Sequence, residues 1–171
     1  DGAPGNTIGG TSASAGNTIS GNTRSGVLIR DAGAVGNVLQ SNAVGTNPIG
    51  MAAVPNARGV LIDNAPSNLI GTAGAGNLIS GNTGEAVRIQ GSGSTGNSLQ
   101  GNVAGLDATG AAALPNTIGV RILNLASGNT IPVAAYVETP VARMVPDSAL
   151  HEYSLDIRSL TITLTEENFL S

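Results

Sequence analysis

The stretch Gly76-Asn77-Leu78-Ile79-Ser80-Gly81-Asn82-Thr83 repeats Gly16-Asn17-Thr18-Ile19-Ser20-Gly21-Asn22-Thr23 almost letter for letter. Close variants stand at Gly36–Asn42 and Gly96–Asn102, with shorter echoes at Gly5–Ile8, Ser67–Ile70 and Gly128–Ile131. Internal repetition constrains a fold more than any other sequence feature, because each unit must bury its apolar face against the next copy of itself. Residues 16–75 and 76–135 are copies at an offset of 60: Gly16 maps to Gly76, Gly36 to Gly96, and Pro55-Asn56 to Pro115-Asn116. One residue of slippage follows, since Asn68 maps to Asn129.

Within this unit, short apolar runs recur about every ten residues. Val27-Leu28-Ile29, Val60-Leu61-Ile62, Leu78-Ile79, Val87-Arg88-Ile89 and Val120-Arg121-Ile122 are examples. None reaches the ten or more residues of 3.6-period patterning that a helix needs. β-branched residues bounded by Gly, Asn and Ser read instead as very short strands. Two-residue hairpins favour Asn-Gly at the turn. None of the seventeen asparagines is followed by glycine; the order is Gly-Asn, ahead of the strand. The pattern therefore predicts parallel stacking of coils of about 20 residues, divided as 16–35, 36–58, 59–75, 76–95, 96–118 and 119–135. Six to seven coils rising by one strand spacing each would make a rod of roughly 30 Å. Glycine before each asparagine is expected to take positive φ at a corner, and Gly26 and Gly59 to mark other corners. Asn17, Asn22, Asn37, Asn42, Asn77, Asn82, Asn97 and Asn102 are expected to form a structural ladder, each amide bonding to the one in the next coil.

The wording Gly-Asn-Thr-Ile-Ser-Gly-Asn-Thr-x-x-Gly-Val-x-Ile resembles the repeats of right-handed parallel β-helix proteins, the pectin-lyase-like superfamily and its bacterial surface relatives, over about residues 5–131. The resemblance implies an all-β, right-handed parallel β-helix solenoid. It does not imply one activity, because the family includes polysaccharide lyases, hydrolases, adhesins and proteins without known chemistry.

Composition divides the chain. All 25 glycines fall between Gly2 and Gly128, whereas the three aromatics, Tyr136, Tyr153 and Phe169, lie in the last 36 residues. The expected organisation is a repeat domain over 1–131 and a non-repeat C-terminal extension over 132–171, a Pro- and Ala-rich connection followed by one long strand. Leu160, Ile162 and Leu164 alternate with threonines, as a half-buried strand does, and Tyr153, Leu155 and Ile157 continue it in the opposite phase across a bulge. This strand needs a partner edge. It would cap its own rod or lock the next subunit by strand addition.

Charge excludes some partners. The chain has no lysine, and seven arginines stand against eleven carboxylates. No basic stripe offers itself to nucleic acid, and no apolar run is long enough for a membrane-spanning helix. Absence of cysteine suits an extracellular or cell-surface protein. The start at Asp1 is read as a removed leader or a piece of a longer chain.

Catalytic chemistry finds little to work with. Asp31 and Asp63 both follow a Val-Leu-Ile run and would lie close together on successive coils, the arrangement a glycosidase would use. They read more simply as solvated turn residues paired with surface arginines such as Arg30 and Arg58. His151 has no metal ligands near it in sequence and reads as a surface or packing residue. No catalytic, cofactor-binding or metal-binding residue is assigned. The expectation is a structural protein, not an enzyme, whose partner is itself: a subunit stacking head to tail into a fibre or surface layer, locked by the C-terminal strand. A fragment of a larger adhesin-like surface protein, and a polysaccharide-binding or -degrading β-helix, are the alternatives.

Overall fold

The computed structural model describes residues 1–131, 153–155 and 162–163. The chain is a parallel β-solenoid. Its strands are β1 (Thr7–Gly9), β2 (Thr18–Ile19), β3 (Ser25–Arg30), β4 (Val38–Gln40), β5 (Ala43–Val44), β6 (Arg58–Asp63), β7 (Leu69–Ile70) and β8 (Leu78–Ile79). They continue with β9 (Glu85–Gln90), β10 (Ser98–Leu99), β11 (Val103–Ala104), β12 (Ile118–Leu123), β13 (Thr130–Ile131), β14 (Tyr153–Leu155) and β15 (Ile162–Thr163). One 3-10 turn, Ala13–Ala15, interrupts the first coil.

Each coil gives one strand to each of three sheets. The first sheet runs β1-β4-β7-β10-β13-β15, the second β2-β5-β8-β11, and the third β3-β6-β9-β12-β14. Pairing among β1 to β13 is parallel throughout. The register of the first sheet sets the coil length: Thr7 lies beside Val38, Val38 beside Leu69, Leu69 beside Ser98, and Ser98 beside Thr130. A coil therefore takes about 30 residues, not 20, and the rod has four full turns, not six or seven. Its height is correspondingly roughly 20 Å.

The 60-residue repeat spans two coils because alternate coils place their long connection at different corners. Odd coils carry it between the first and second sheets (residues 10–17 and 71–77), and even coils between the second and third (45–57 and 105–117). Every strand of the third sheet aligns with its neighbours regardless, so the core remains in register. The one-residue slippage falls after β12, where Asn124 and Leu125 both take positive φ ahead of Gly128, whereas in the earlier corner Asn64 alone does so ahead of Ser67.

Core columns follow from this register. Val27, Val60, Val87 and Val120 stack in one line, and Ile29, Ile62, Ile89 and Ile122 in another. Leu39, Ile70, Leu99 and Ile131 come from the first sheet, and Val44, Ile79 and Ala104 from the second. β-branched and leucyl side chains fill a narrow interior that has no room for rings, which is why the described coils carry no aromatic residue. The first coil is less enclosed: Ile8 and Ile19 are only partly buried.

Glycine has two distinct uses. At the corner before Asn37, Gly36 takes a φ of 67°, and the matching residue one coil on, Ser67, takes 56°. Gly16 and Gly76 do not follow that pattern. Gly16 is extended, with φ −72°, and Gly76 has no positive φ. Glycine is required there because a Cβ would overlap the carbonyl oxygens of Ser41 and Gly101 respectively. Gly26 and Gly59 lie inside β3 and β6, not at corners.

The C-terminal strand expected over Tyr153–Thr165 is described in two parts, on different sheets. β14 pairs antiparallel with β12, with Val120 opposite Leu155 and Ile122 opposite Tyr153. β15 pairs antiparallel with β13, with Ile131 opposite Ile162. Ile157, Leu160 and Leu164 lie outside the described residues.

Ile79 is fully buried on the second sheet between Val44 and Ala104. Replacing it with alanine removes three heavy atoms from a core that cannot collapse without shifting a strand. The expected loss is about 2–5 kcal/mol of unfolding free energy, measured by urea titration.

Candidate functional site

The feature that most distinguishes this molecule is at its corners. Thirteen asparagines form three ladders along the rod. The first comprises Asn6, Asn37, Asn68, Asn97 and Asn129, just before the first sheet. The second comprises Asn17, Asn42, Asn77 and Asn102, before the second sheet. The third comprises Asn22, Asn56, Asn82 and Asn116, before the third.

Each rung is the same. The backbone N–H and the side-chain Nδ2 of one asparagine both donate to the Oδ1 of the asparagine in the next coil. For Asn42 to Asn77 the two distances are 3.0 and 3.0 Å; for Asn77 to Asn102 they are 3.0 and 2.9 Å. The second Nδ2 proton commonly turns back to a carbonyl of the preceding coil, as from Asn77 to Leu39 at 2.8 Å and from Asn82 to Val44 at 3.1 Å. A buried asparagine such as Asn77 thus satisfies both lone pairs and both amide protons. Only asparagine does this: aspartate has no protons to give, and glutamine is one methylene too long for the rung.

The eight asparagines singled out by the repeat all stand in these ladders. They do not form one line: Asn37 and Asn97 belong to the first, Asn17, Asn42, Asn77 and Asn102 to the second, and Asn22 and Asn82 to the third. Five members escaped the pattern. Asn6, Asn68 and Asn129 sit in the weaker echoes, and Asn56 and Asn116 follow proline in place of glycine. The equivalence of Pro55-Asn56 and Pro115-Asn116 was the available signal, but it relates alternate coils and hides the intervening Asn82.

The ladders have a direction. Donors always lie nearer the N-terminus and acceptors nearer the C-terminus. Asn6, Asn17 and Asn22 are exposed, and among the described residues their Oδ1 atoms accept nothing. On the same end, β1, β2 and β3 are the last strands of their sheets.

Charged groups form a second cluster, on the outward face of the third sheet. Glu85 is buried and faces Arg58 (3.1 Å), Arg121 (3.4 Å) and Arg88 (3.5 Å). Arg58 therefore pairs with Glu85, not with Asp31 or Asp63. Arg30 pairs with Asp1 at 3.1 Å and reaches Asp31 at 3.8 Å. Asp31 and Asp63 do occupy adjacent coils, since the Asp31 N–H donates to the Asp63 carbonyl, while the Asp63 carboxylate accepts from Asn64. His151 lies outside the described residues. Among the described residues no group of three or more His, Asp or Glu is placed to hold a metal ion, and no helix is long and apolar enough to cross a membrane.

The long connections of the even coils form two hairpins, closed by bridges between Thr46 and Ala53 and between Leu106 and Ala113. They are joined by the Ala108 N–H donating to the Gly50 carbonyl at 2.9 Å. In one, Asn47 Oδ1 accepts from the N–H groups of Met51 and Ala52. In the other, Asp107 Oδ1 accepts from the Thr109 hydroxyl at 2.7 Å and from the N–H groups of Thr109, Ala111 and Ala112. These bonds, the hydroxyl foremost, hold the Asp107 carboxyl below its usual range against an opposing effect of burial.

No protein-family model matches the chain, and neither a curated protein nor a solved structure is significantly similar to it.

Two outcomes are expected. Asn77→Ala strands the buried Asn42 N–H, while Asn42 Nδ2, the Leu39 carbonyl and Asn102 Oδ1 each lose one partner and keep another; it should lower stability by about 1–3 kcal/mol in urea titration, the cost of one orphaned buried group. Asn17→Ala, at the exposed end, should lose less than half as much. The second concerns pH. Because the folded pKa of Asp107 is depressed, its stabilising contribution is present above the ordinary carboxylate pKa near ~3.9 and is lost as pH falls through the folded value. Asn47 shows that asparagine can close such a hairpin. The stability difference between wild type and Asp107→Asn should therefore be constant from pH 7 to 5 and shrink below pH 4, measured by thermal unfolding.

Proposed function

We propose that this chain is an extracellular structural protein whose solenoid is extended end to end into a fibre or surface layer. The observation that carries this reading is the matching set of strand edges that no other strand pairs among the described residues. One end presents β1, β2 and β3; the other presents β15, β11 and β14, as the outermost strands of the same three sheets. Unpaired edges are templates for further strands, and this chain does not cover them with lysine or proline at those positions. A contact between unlike ends is heterologous and does not close, so it propagates.

In this reading β14 and β15 are shared strands. Each pairs with its own rod on one edge and offers the other edge to β3 or β1 of the next subunit. The C-terminal strands so lock subunits without leaving their own chain, and Tyr153, Leu155 and Ile162 mark the junction. The absence of cysteine and lysine suits an exported, chemically inert wall of this kind. Kinship with the pectin-lyase-like β-helices of bacterial surfaces remains part of the proposal, supported by the Gly-Asn-Thr-Ile-Ser-Gly-Asn-Thr wording and the parallel coils.

The direction of the ladders favours a second reading. The Oδ1 atoms of Asn6, Asn17 and Asn22 fit a preceding coil that brings asparagine N–H donors, as in a longer surface protein of which these coils are one part. Electron microscopy of the chain, beside a version ending at Ile131, separates the two. Filaments from the first and single particles from the second are expected. Isolated rods of one-subunit length at every concentration would overturn the assembly reading and leave the second.

A further inference from the structure

The first and third coils are copies of each other, yet only the third is covered on its N-terminal face. The second coil lies on it: β4 beside β7, β5 beside β8 and β6 beside β9. The Oδ1 atoms of Asn68, Asn77 and Asn82 accept from the Nδ2 groups of Asn37, Asn42 and Asn56 at 3.0, 3.0 and 2.9 Å. The N–H groups of Leu78, Ser80 and Thr83 donate to the carbonyls of Asn42, Val44 and Asn56 at 2.9, 3.1 and 3.0 Å. Ile70, Ile79, Val87 and Ile89 are fully buried behind them.

The first coil repeats this face with no strand on it among the described residues. Asn6, Asn17 and Asn22 stand for Asn68, Asn77 and Asn82, and Ile8, Ile19, Val27 and Ile29 for the four apolar residues. Thr18, Ser20 and Thr23 stand for Leu78, Ser80 and Thr83, and among the described residues their N–H groups have no partner. Three side-chain oxygens and three N–H groups therefore wait at the end of the rod, around isoleucines that are only partly buried. Two such ends cannot meet face to face, because asparagine oxygen would oppose asparagine oxygen.

The first residues of the chain specify which coil fits. Asp1, Ala3, Pro4, Asn6, Ile8 and Gly9 recur as Asp63, Ala65, Pro66, Asn68, Ile70 and Gly71, the exit of the second coil from β6. The hydrogen bonds recur too. The Gly2 N–H donates to the Arg30 carbonyl at 2.9 Å, as that of Asn64 does to Gln90 at 3.0 Å. The Gly5 N–H donates to Val35 at 2.9 Å, as that of Ser67 does to Thr95 at 2.8 Å. Asp1, paired with Arg30 at 3.1 Å, takes the place beside β3 that Asp63 holds beside Gln90 of β9. Length decides between coil types. Five steps lead from Asp63 to Asn68 and from Asp1 to Asn6, whereas seven lead from Arg30 to Asn37 and from Gln90 to Asn97, the exits of the odd coils.

We infer that the N-terminal face binds one further coil of the even type, seated on the first coil as the second is seated on the third. This rests on the reading of these coils as one part of a longer solenoid, and it names the neighbour. That neighbour is a parallel coil with asparagine amides at all three corners, its long connection between the second and third sheets, and its third-sheet strand ending at Asp1. An odd coil would lay a second long connection over residues 10–17 at the same corner.

The test uses two extended versions of the full chain. One carries a copy of residues 32–62 directly ahead of Asp1; the other carries a copy of residues 64–89, an odd coil ending at the same register. Amide exchange at Thr18, Ser20 and Thr23 is read by NMR, with Val87 and Ile89 reporting that the parent coils are folded. The even copy should slow the three amides at least about a hundredfold relative to the unextended chain, because they then exchange only when a packed coil opens. The odd copy should leave them fast. No slowing with the even copy, or parent coils unfolded by it, would overturn the inference together with the reading beneath it. Equal slowing by both copies would overturn the even-type assignment alone. Amides already slow in the concentrated, unextended chain and fast on dilution would make a second copy the occupant and overturn the inference.

Discussion

The amide-to-amide rung between asparagines of successive coils is the constraint on which this structure depends. A solenoid must turn a corner three times per coil, and at each corner the backbone leaves its sheet and exposes N–H groups that no strand can satisfy. Asparagine solves this at one stroke. Its Oδ1 takes the backbone and side-chain protons of the residue below, and its own protons pass the arrangement on. The rung is about as long as the strand spacing, so ladder and sheets share one rise per coil, and neither can slip without breaking the other. The buried members Asn42, Asn77 and Asn82 are polar groups in an apolar interior, tolerated because nothing in them is unmet.

Once corners are fixed, the faces have freedom. Alternate coils carry their long connections at different corners, and the Val27–Val120 and Ile29–Ile122 columns still align. The outward positions of the third sheet vary from coil to coil: Leu28 and Leu61 give way to Arg88 and Arg121 in one column, and Ser25, Arg58, Glu85 and Ile118 succeed one another in the next. Stability resides in the repeating inward and corner residues, and any recognition falls to these variable outward ones.

Much of the fold was legible because the repeat is so regular. Short β-branched runs after Gly-Asn, with no Asn-Gly turn, pointed to parallel stacking, and the structure is a parallel solenoid. The coil length was misread for a physical reason. Gly16-Asn17 and Gly36-Asn37 look alike but stand at different corners, one extended and the other at positive φ. Counting them as equivalent positions gave a coil of 20 residues in place of 30. That error also hid the charged cluster. Arg58, Glu85 and Arg121 converge only when coils are taken at the true spacing, 27 residues from Arg58 to Glu85 and 36 from Glu85 to Arg121. Proline before Asn56 and Asn116 obscured the third ladder: its φ is locked negative, whereas Gly21 and Gly81, before the other two members, take positive φ, so the same rung is reached from two different turns.

Hydrogen exchange of asparagine side-chain amides, read by NMR on the folded chain, tests the ladder most directly. The Nδ2 protons of Asn42, Asn77 and Asn82 should exchange only through global unfolding, orders of magnitude more slowly than those of the exposed Asn64 and Asn124. Equal, fast exchange at Asn77 and Asn64 would contradict the account, since a solenoid without its rungs has nothing to hold the corners in register.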